Sequence, residues 1–165
     1  MKLITALIAT MLLAACASYS GAGLKPGEAN LEQVQAKMGQ PAMRWQDADG
    51  SVQLAYPRGP YGYHTYMVKL GPDGRLQSIE NALDDRTFRR IVPGLSKEEV
   101  LRLLGPPIDS RSIFNKERNE LAWEWRFRDA FNEPTRFVVL FDATAGTVRS
   151  AMFLREYMER SIFMR

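Results

Sequence analysis

Two segments of the chain carry apolar residues at helical spacing. In the first, Leu31, Val34 and Met38 stand at i, i+3 and i+7. In the second, the run "VLRLL" that starts at Val100 repeats this stripe just before Gly105. Each segment therefore predicts a short amphipathic helix, whose apolar face we expect to pack on a core rather than in a groove of a partner.

The two predicted helices carry the same start and stop signals. Each follows a Pro-Gly step and ends in Gly-x-Pro. Each also has a capping pair, Asn30 with Gln33 in the first and Ser96 with Glu99 in the second, in which each side chain can bond the free backbone N–H of the other. The chain thus contains nearly the same helical phrase twice.

Strand patterns follow each helix. "SVQLAY" and "LAWEWRF" alternate apolar and polar residues, which predicts strands with one buried and one wet face. "TYMVKLGPDGRLQSIE" adds an alternating run, a Pro72-Asp73-Gly74 turn and a returning strand. Its counterpart "TRFVVLFDATAGTVRSAMFL" is apolar throughout from Phe137 to Phe141, which predicts a central strand. The short turns predict an antiparallel meander.

The order helix, strand, strand, strand therefore occurs twice, in residues 25–83 and again in residues 84–154. This predicts an α+β fold of two tandem helix–three-strand units, with antiparallel sheets and with the helices packed on one face. One unit of this size is marginal by itself, whereas two packed copies share a larger core. We interpret the repetition as a tandem duplication.

The first fifteen residues have the pattern of a targeting signal. Lys2 is followed by the apolar run "LITALIATMLLAA", which has signal-peptide length and is too short to span a membrane stably. The junction "LAAC" resembles the lipobox of bacterial lipoproteins and ends at Cys16, the only cysteine of the chain. The resemblance implies removal of residues 1–15 and covalent diacylglycerol and N-acyl lipid on Cys16. An ordinary secretory signal with an incidental cysteine is the alternative.

Lipid on Cys16 would anchor the chain firmly, because several acyl chains bind a membrane far better than one. Ala17 stands where many lipoproteins kept in the inner membrane have Asp, so we expect the periplasmic face of the outer membrane. Residues 16–24 would then be the lipidated cysteine and a short polar tether, which keeps the folded part close to the membrane.

The charge of the chain is mild, with 22 basic and 19 acidic residues and a formal net charge of +3. The sequence contains no base-reading or stacking motif for nucleic acid. We therefore expect no nucleic-acid partner.

Residues for catalysis are scarce. The chain has one histidine, His64, and its one thiol would be consumed by lipidation. No motif of a serine hydrolase, zinc protease or phosphate-binding loop occurs. We expect a protein that is not an enzyme and binds no metal and no cofactor beyond the lipid. A hydrolase that uses dispersed carboxylates is the alternative.

Three acidic stretches are expected to be structural. Asp47-Ala48-Asp49-Gly50 resembles the start of a calcium loop, but the twelfth position is Arg58, where such a loop needs a bidentate Glu. It is therefore predicted to be a turn. The acidic pairs at 84–85 and 98–99 suit helix N-termini, and the first would cap a short helix in "LDDRTFRRI".

The stretch "YPRGPYGYHTY", residues 56–66, is the first candidate for a binding surface. Its glycines and prolines predict a loop between two strands. Arg58, Tyr61, Tyr63 and His64 are of types that are enriched at protein interfaces, which makes them partner-binding candidates. The alternative is that the rings fold back and cap the core.

The C-terminal tail, residues 155–165, is the second candidate. Arg155, Arg160 and Phe163 are tail residues that could meet a membrane or a partner if the segment forms a basic amphipathic helix. A terminal helix that docks on its own sheet, or a frayed end, is the alternative.

The helix phrases resemble those of a known family. "IVPGLSKEEVLRLLGPP" followed by "LAWEWRF", and more loosely "GEANLEQVQAKMGQP", are similar to the SmpA/OmlA (BamE-like) outer-membrane lipoprotein domain. That domain is also similar to the repeat of a secreted β-lactamase inhibitor protein. The resemblance implies a BamE-like fold in each unit and a habit of binding proteins. It identifies no partner-binding residue position by position.

Two functions are compatible with this resemblance. The first is a lipid-anchored, non-catalytic adaptor that binds envelope proteins, including subunits of the β-barrel assembly machinery, in outer-membrane protein assembly or envelope integrity. The second is a periplasmic inhibitor or sensor that binds an envelope enzyme such as a β-lactamase or a cell-wall enzyme. Because both would use the same fold, the fold alone does not separate them.

Overall fold

The computed structural model describes residues 20–59, 61–109 and 112–156. These residues form two antiparallel four-stranded sheets and three short helices. The helices are α1 (Leu31–Met38), α2 (Asp85–Phe88) and α3 (Lys97–Leu104), and the strands are β1 (Met43–Gln46), β2 (Val52–Pro57), β3 (Thr65–Leu70), β4 (Leu76–Asn81), β5 (Ile113–Asn115), β6 (Glu120–Arg128), β7 (Pro134–Asp142) and β8 (Val148–Arg155). Both sheets are meanders, in the orders β1-β2-β3-β4 and β5-β6-β7-β8.

The helix signals read from the sequence are confirmed. Asn30 caps α1 and Ser96 caps α3, each in a reciprocal capping box with the residue three positions on. Asp84 caps α2, where its side chain accepts a hydrogen bond from the Thr87 backbone N–H at 2.8 Å. Helices α1 and α3 stop at a glycine with positive φ, 84° at Gly39 and 72° at Gly105, which an L side chain adopts only with strain.

The predicted fold class is wrong in its central feature, because the units are not helix–three-strand units. Each sheet has a fourth strand, β1 or β5, that the patterns missed. Strand β1 has four residues, and β5 has three residues that are all exposed, so neither shows enough alternation to be recognised. The helices are eight residues long at most. The described part of the chain is therefore dominated by its sheets.

The first sheet is covered on both faces, which also corrects the expectation of helices on one face. One face packs Leu54, Tyr56 and Val68 against Val34 and Met38 of α1. The opposite face packs Trp45, Ala55 and Met67 against Leu101 of α3. For this reason β2 is buried at Leu54, Ala55 and Tyr56 in succession, where the pattern predicted one wet face.

The second sheet has one buried apolar face and one mixed face, on which Val138, Met152 and Leu154 stand beside charged residues. The apolar face carries Trp125, Phe127, Phe137 and Phe141, which enclose the second core together with Val100 and Leu104 of α3 and Phe88 of α2. Strand β7 lies inside the sheet, as predicted for a central strand.

The charged residues on the mixed face of the second sheet are not all exposed to solvent. Glu124 and Arg136 are 6% and 5% exposed and form an ion pair at 2.9 Å across β6 and β7. The expectation that Glu124 faces water is therefore wrong. A close pair of this kind offsets the desolvation of both charges, so removing one partner is costly.

Helix α3 lies between the two sheets and joins them. Its buried side faces the second core, and its other side contacts the first sheet through three polar links. The Trp45 indole N–H donates to Glu98 at 2.5 Å, the Gln53 side-chain amide donates to the Arg102 carbonyl at 2.6 Å, and Arg102 pairs with Asp47 at 2.7 Å. The layers therefore run α1, first sheet, α3, second sheet.

The two units agree in several irregular details. The N-cap residues of α1 and α3 each form an isolated β-bridge to the residue just before the fourth strand of the same unit, Asn30 with Arg75 and Ser96 with Thr147. Each sheet has a register shift in its third strand, after Lys69 and after Leu140. The glycine carbonyl at the end of α1 and of α3 accepts a hydrogen bond from an aromatic residue of the second strand of the same unit, Tyr56 or Trp125.

Two residues of the predicted tether, Gly21 and Leu24, lie against the first unit. Gly21 is buried, and Leu24 is partly buried against the first core. The described part of the predicted tether therefore belongs to the folded body. Among the described residues, none of the helices is long and apolar enough to cross a membrane.

Candidate protein-binding surface

The loop between β2 and β3 has a defined shape. The Arg58 backbone N–H donates to the His64 carbonyl at 2.9 Å and closes the loop at its base. Gly62 approaches Arg58 so closely that an added Cβ would lie 2.0 Å from the Arg58 carbonyl oxygen. Only glycine fits there, because a methyl group would force the loop open. Tyr61 is 82% exposed at the tip.

Tyr63 leaves the first unit and contacts the second sheet. The guanidinium carbons of Arg126 and Arg128 lie 4.7 and 4.5 Å from the centre of the Tyr63 ring. Arg126 also donates to the Tyr63 hydroxyl at 3.0 Å and to the Tyr61 carbonyl at 3.4 Å. Cation–π contacts of this kind contribute about 0.5–2 kcal/mol each. The loop is thus held against one side of β6.

The two arginines differ in how they are paired. Arg126 forms a two-pronged ion pair with Glu156, and the hydrogen bond to that carboxylate is the main cause that raises the pKa of Arg126. Arg128 is exposed and donates to the Asn132 carbonyl at 2.7 Å. Within the described ranges, no carboxylate lies within ion-pair distance of Arg128. The Arg128 guanidinium is therefore accessible at the surface and is not neutralised by a carboxylate of the described residues.

His64 lies close enough to Arg58 and Arg128 for their charges to affect its pKa. Its ring stacks on Tyr66 with 5.8 Å between centroids and an angle of 7°. Partial burial lowers the pKa of His64 below its usual 6.5, and the charges of Arg58 and Arg128 lower it further.

A cavity of about 520 Å³ opens beside the loop. Trp125, Leu83 and Thr65, which are nearly inaccessible to solvent, belong to its lining. The loop supplies Gly59, Gly62 and His64 on one side, and the segment after α3 supplies Pro106, Pro107 and Ile108 on the other. The cavity thus lies at the seam between the units and has mostly apolar walls.

The seam is built around Gly105. A Cβ on Gly105 would lie 2.7 Å from Thr65 Cγ2 and 3.3 Å from Ala55 Cβ in the first unit. The carbonyl of Gly105 accepts a hydrogen bond from the Trp125 indole N–H at 3.2 Å. In the first unit the Tyr56 hydroxyl donates in the same way to the Gly39 carbonyl at 3.2 Å.

The structure brings the loop candidates Arg58, Tyr61, Tyr63 and His64 to one surface and adds Arg126 and Arg128, which sequence reasoning missed. The signal for both was present, because Arg126 and Arg128 alternate along "EWRFR" and share one face of a strand. What the sequence did not show is that the loop of the other unit covers that face.

Of the tail candidates, Arg155 is the last residue of β8 and is exposed. Arg160 and Phe163 lie outside the described residues, as do the predicted signal segment and Cys16. The described region contains a second exposed apolar surface, formed by Phe131 and Phe153, which are 80% and 54% exposed.

The acidic stretches have the structural roles that the sequence predicted. Asp47 and Gly50 form the turn between β1 and β2, with the Gly50 N–H donating to the Asp47 carbonyl. Glu99 completes the capping box of α3, and its bonds to Ser96 lower the pKa of its carboxyl. The part of the chain covered by the structure contains no group of three or more His, Cys, Asp or Glu residues that could hold a metal ion.

Comparison with known proteins gives one informative similarity. The chain is 29% identical over 99 residues to "Outer membrane protein assembly factor BamE" of Neisseria meningitidis serogroup B. The aligned region covers 59% of this chain and 65% of that relative, so the chain spans just under two thirds of the relative's length. No family model matches the chain. No solved structure matches it either.

Proposed function

We propose that this protein is a non-catalytic, protein-binding adaptor that acts in outer-membrane protein assembly or envelope integrity. The observation that carries the proposal is the 29% identity to a BamE assembly factor over 99 residues. The loop surface with Tyr61, Tyr63 and Arg128 supports it, since Tyr and Arg are enriched among the residues that dominate the binding energy of protein interfaces.

The anchoring of the adaptor is part of the proposal. We infer lipid on Cys16 and a place at the periplasmic face of the outer membrane, on the basis of the lipobox-like "LAAC" and Ala17. In cell fractionation, the wild-type chain should sediment with the outer membrane. The Cys16→Ala variant should appear in the soluble periplasmic fraction, and full sedimentation of that variant would contradict the anchor.

The domain organisation is also a proposal: two BamE-like units, each a helix followed by a four-stranded meander, that arose by duplication. The repeated capping box, the N-cap bridge, the register shift in the third strand and the aromatic bond to the helix end support it. These details are irregular, so convergence on all four is a poor explanation.

The adaptor role is tested by crosslinking in intact native host cells, mild solubilisation, purification through a C-terminal tag and mass spectrometry. Subunits of the β-barrel assembly machinery should be recovered, and the recovery should fall when Arg58 and Tyr61 are changed to Ala. Recovery of only a cell-wall enzyme or a β-lactamase would contradict the adaptor role and support an inhibitor. Recovery of no envelope protein would contradict both.

A further inference from the structure

We infer that the cavity at the seam binds an acidic protein segment with one apolar anchor, such that the anchor enters the cavity and the flanking carboxylates meet the arginines of its rim. This deepens the proposed function, on which it rests, because it names the chemistry of the partner.

The cavity has room for an apolar anchoring side chain of a partner. Its volume of about 520 Å³ exceeds that of one aromatic side chain and is in the range of known ligand pockets. Prolines 57, 106 and 107 have fixed φ and form parts of two walls. Trp125 and Leu83 supply buried apolar surface. A site that is preformed in this way loses little entropy when a partner binds.

The charge around the cavity points to an acidic segment. Arg58 lies between two lining residues, Pro57 and Gly59. Arg128 stacks on Tyr63, which stands between the lining residues Gly62 and His64. Against these two arginines the lining contains one carboxylate, Asp109. Guanidinium groups favour carboxylates, with which they form two parallel hydrogen bonds.

The same arginines could attract an anionic membrane, but the geometry favours a protein segment. A layer of lipid headgroups presents charge on a plane, whereas these cations border a concave site with apolar walls. Arg126 and Tyr63 are also held in place by their mutual contacts, so they offer a fixed pattern rather than a mobile basic patch. A short acidic segment with one apolar residue fits both features.

The test uses the full chain in detergent and three end-blocked peptides. The first is Asp-Glu-Phe-Asp-Glu, the second replaces the acids by Asn and Gln, and the third replaces Phe by Ala. His64 is the only histidine, so its imidazole proton signals in an NMR titration report binding at the cavity without ambiguity. Weak binding in the millimolar range is measurable in this way.

The first peptide should shift the His64 signals in a saturable manner, and the other two should bind at least tenfold more weakly. Arg128→Ala should weaken the first peptide at least tenfold, and Arg128→Lys, which keeps the charge, should weaken it less. Arg118→Ala is the matched control, because Arg118 is an exposed arginine beyond the opposite end of β6, roughly 30 Å away. It should change the affinity less than twofold.

Several results would overturn the inference. These are absence of a His64 shift, equal binding of the neutral peptide, equal losses in the Arg128→Ala and Arg118→Ala variants, or a His64 response to phosphatidylglycerol vesicles but not to the peptide. If the cellular crosslinks to envelope proteins persist while peptide binding is absent, the inference fails and the proposed function stands. If the crosslinks are absent as well, both fail.

Discussion

Helices α1 and α3 begin with the same capping box and end on the same kind of glycine, yet their surroundings differ. The outer side of α1 is exposed at Glu32 and Ala36. The outer side of α3 carries Leu101 and Arg102, which contact the first sheet. Where α3 has Leu101, the corresponding position of α1 has Gln35, which bonds Gln40 at its own helix end. The comparison shows that the same helix motif packs on one core in α1, whereas in α3 it contacts two sheets.

The largest difference in stability loss between corresponding substitutions in the two units is expected at Gly39 and Gly105, which end α1 and α3. Gly39→Ala should cost about 1–3 kcal/mol, because an L side chain is strained at its φ of 84° and ψ of −164°, although nothing lies within 4 Å of the added Cβ. Gly105→Ala adds a clash with Thr65 across the seam to the same backbone strain, and should cost about 2 kcal/mol more than Gly39→Ala. Chemical denaturation measures both values. Equal losses would show that the seam is not closely packed at Gly105.

The next largest difference in stability loss is expected for the hydrogen bonds that Trp125 and Tyr56 donate to the helix ends. Trp125→Phe should cost about 2–3 kcal/mol, because it leaves a cavity and removes the donor from a buried carbonyl. Tyr56→Phe removes only a hydroxyl from a partly buried bond and should cost about 1 kcal/mol. Thermal unfolding of the two variants tests this order, and a larger loss for Tyr56→Phe would reverse the comparison.

Substitutions of Leu101 and of Gln35, the corresponding residue of α1, test how much the outer side of each helix contributes to stability. Leu101→Ala should cost roughly 1–2 kcal/mol, since the side chain is only partly buried against the first sheet. Gln35→Ala should stay within about 0.5 kcal/mol. Urea midpoints of the two variants give the difference. If Leu101→Ala were as mild as Gln35→Ala, α3 would not join the sheets through this side chain.

The ion pair between Asp47 and Arg102 should contribute less to stability than Leu101. Its side chains are 46% and 34% exposed, so solvent screens the interaction. A double-mutant cycle with Asp47→Ala and Arg102→Ala should give a coupling of about 0.5 kcal/mol that shrinks in 1 M NaCl. A coupling insensitive to salt would mean that the contact is not electrostatic.

The smallest effect concerns His64 and its two arginines. Arg128→Ala and Arg58→Ala should each raise the pKa of His64 toward 6.5, though only partly, because burial is the larger cause of the shift. Arg118→Ala should leave that pKa unchanged. Since the folded pKa lies below the unfolded value, His64 reduces stability as the pH falls below about 6.5 and has no such effect above it. An NMR pH titration measures each pKa.

Local signals in the sequence were sufficient for much of the fold. The capping boxes of α1 and α3 and the cap of α2 by the acidic pair at 84–85 depend on neighbouring residues; both boxes are confirmed, and the cap of α2 is Asp84. The interior strand β7 was evident because both of its faces are apolar. Strand β5 was missed because its side chains are exposed and it exists only by pairing with β6.

The candidate surface shows the limit of such signals. The loop was recognisable from its glycines, prolines and tyrosines, but its position depends on contacts between units far apart in the chain. Tyr63 and Arg126 are separated by 63 residues, and Gly105 meets Thr65 across the same seam. The buried pair of Glu124 and Arg136 was missed for the same reason, because strand alternation does not show which polar face is covered.

The most direct test replaces Tyr61, which is 82% exposed, by a photoreactive amino acid in living cells. Illumination should join this position to an envelope protein of the assembly machinery, and the adduct should disappear in an Arg128→Ala background. The same amino acid at Arg118 should give no such adduct. Adducts of equal yield at positions 61 and 118, or none at position 61, would contradict the claim that this loop is the binding surface of the adaptor.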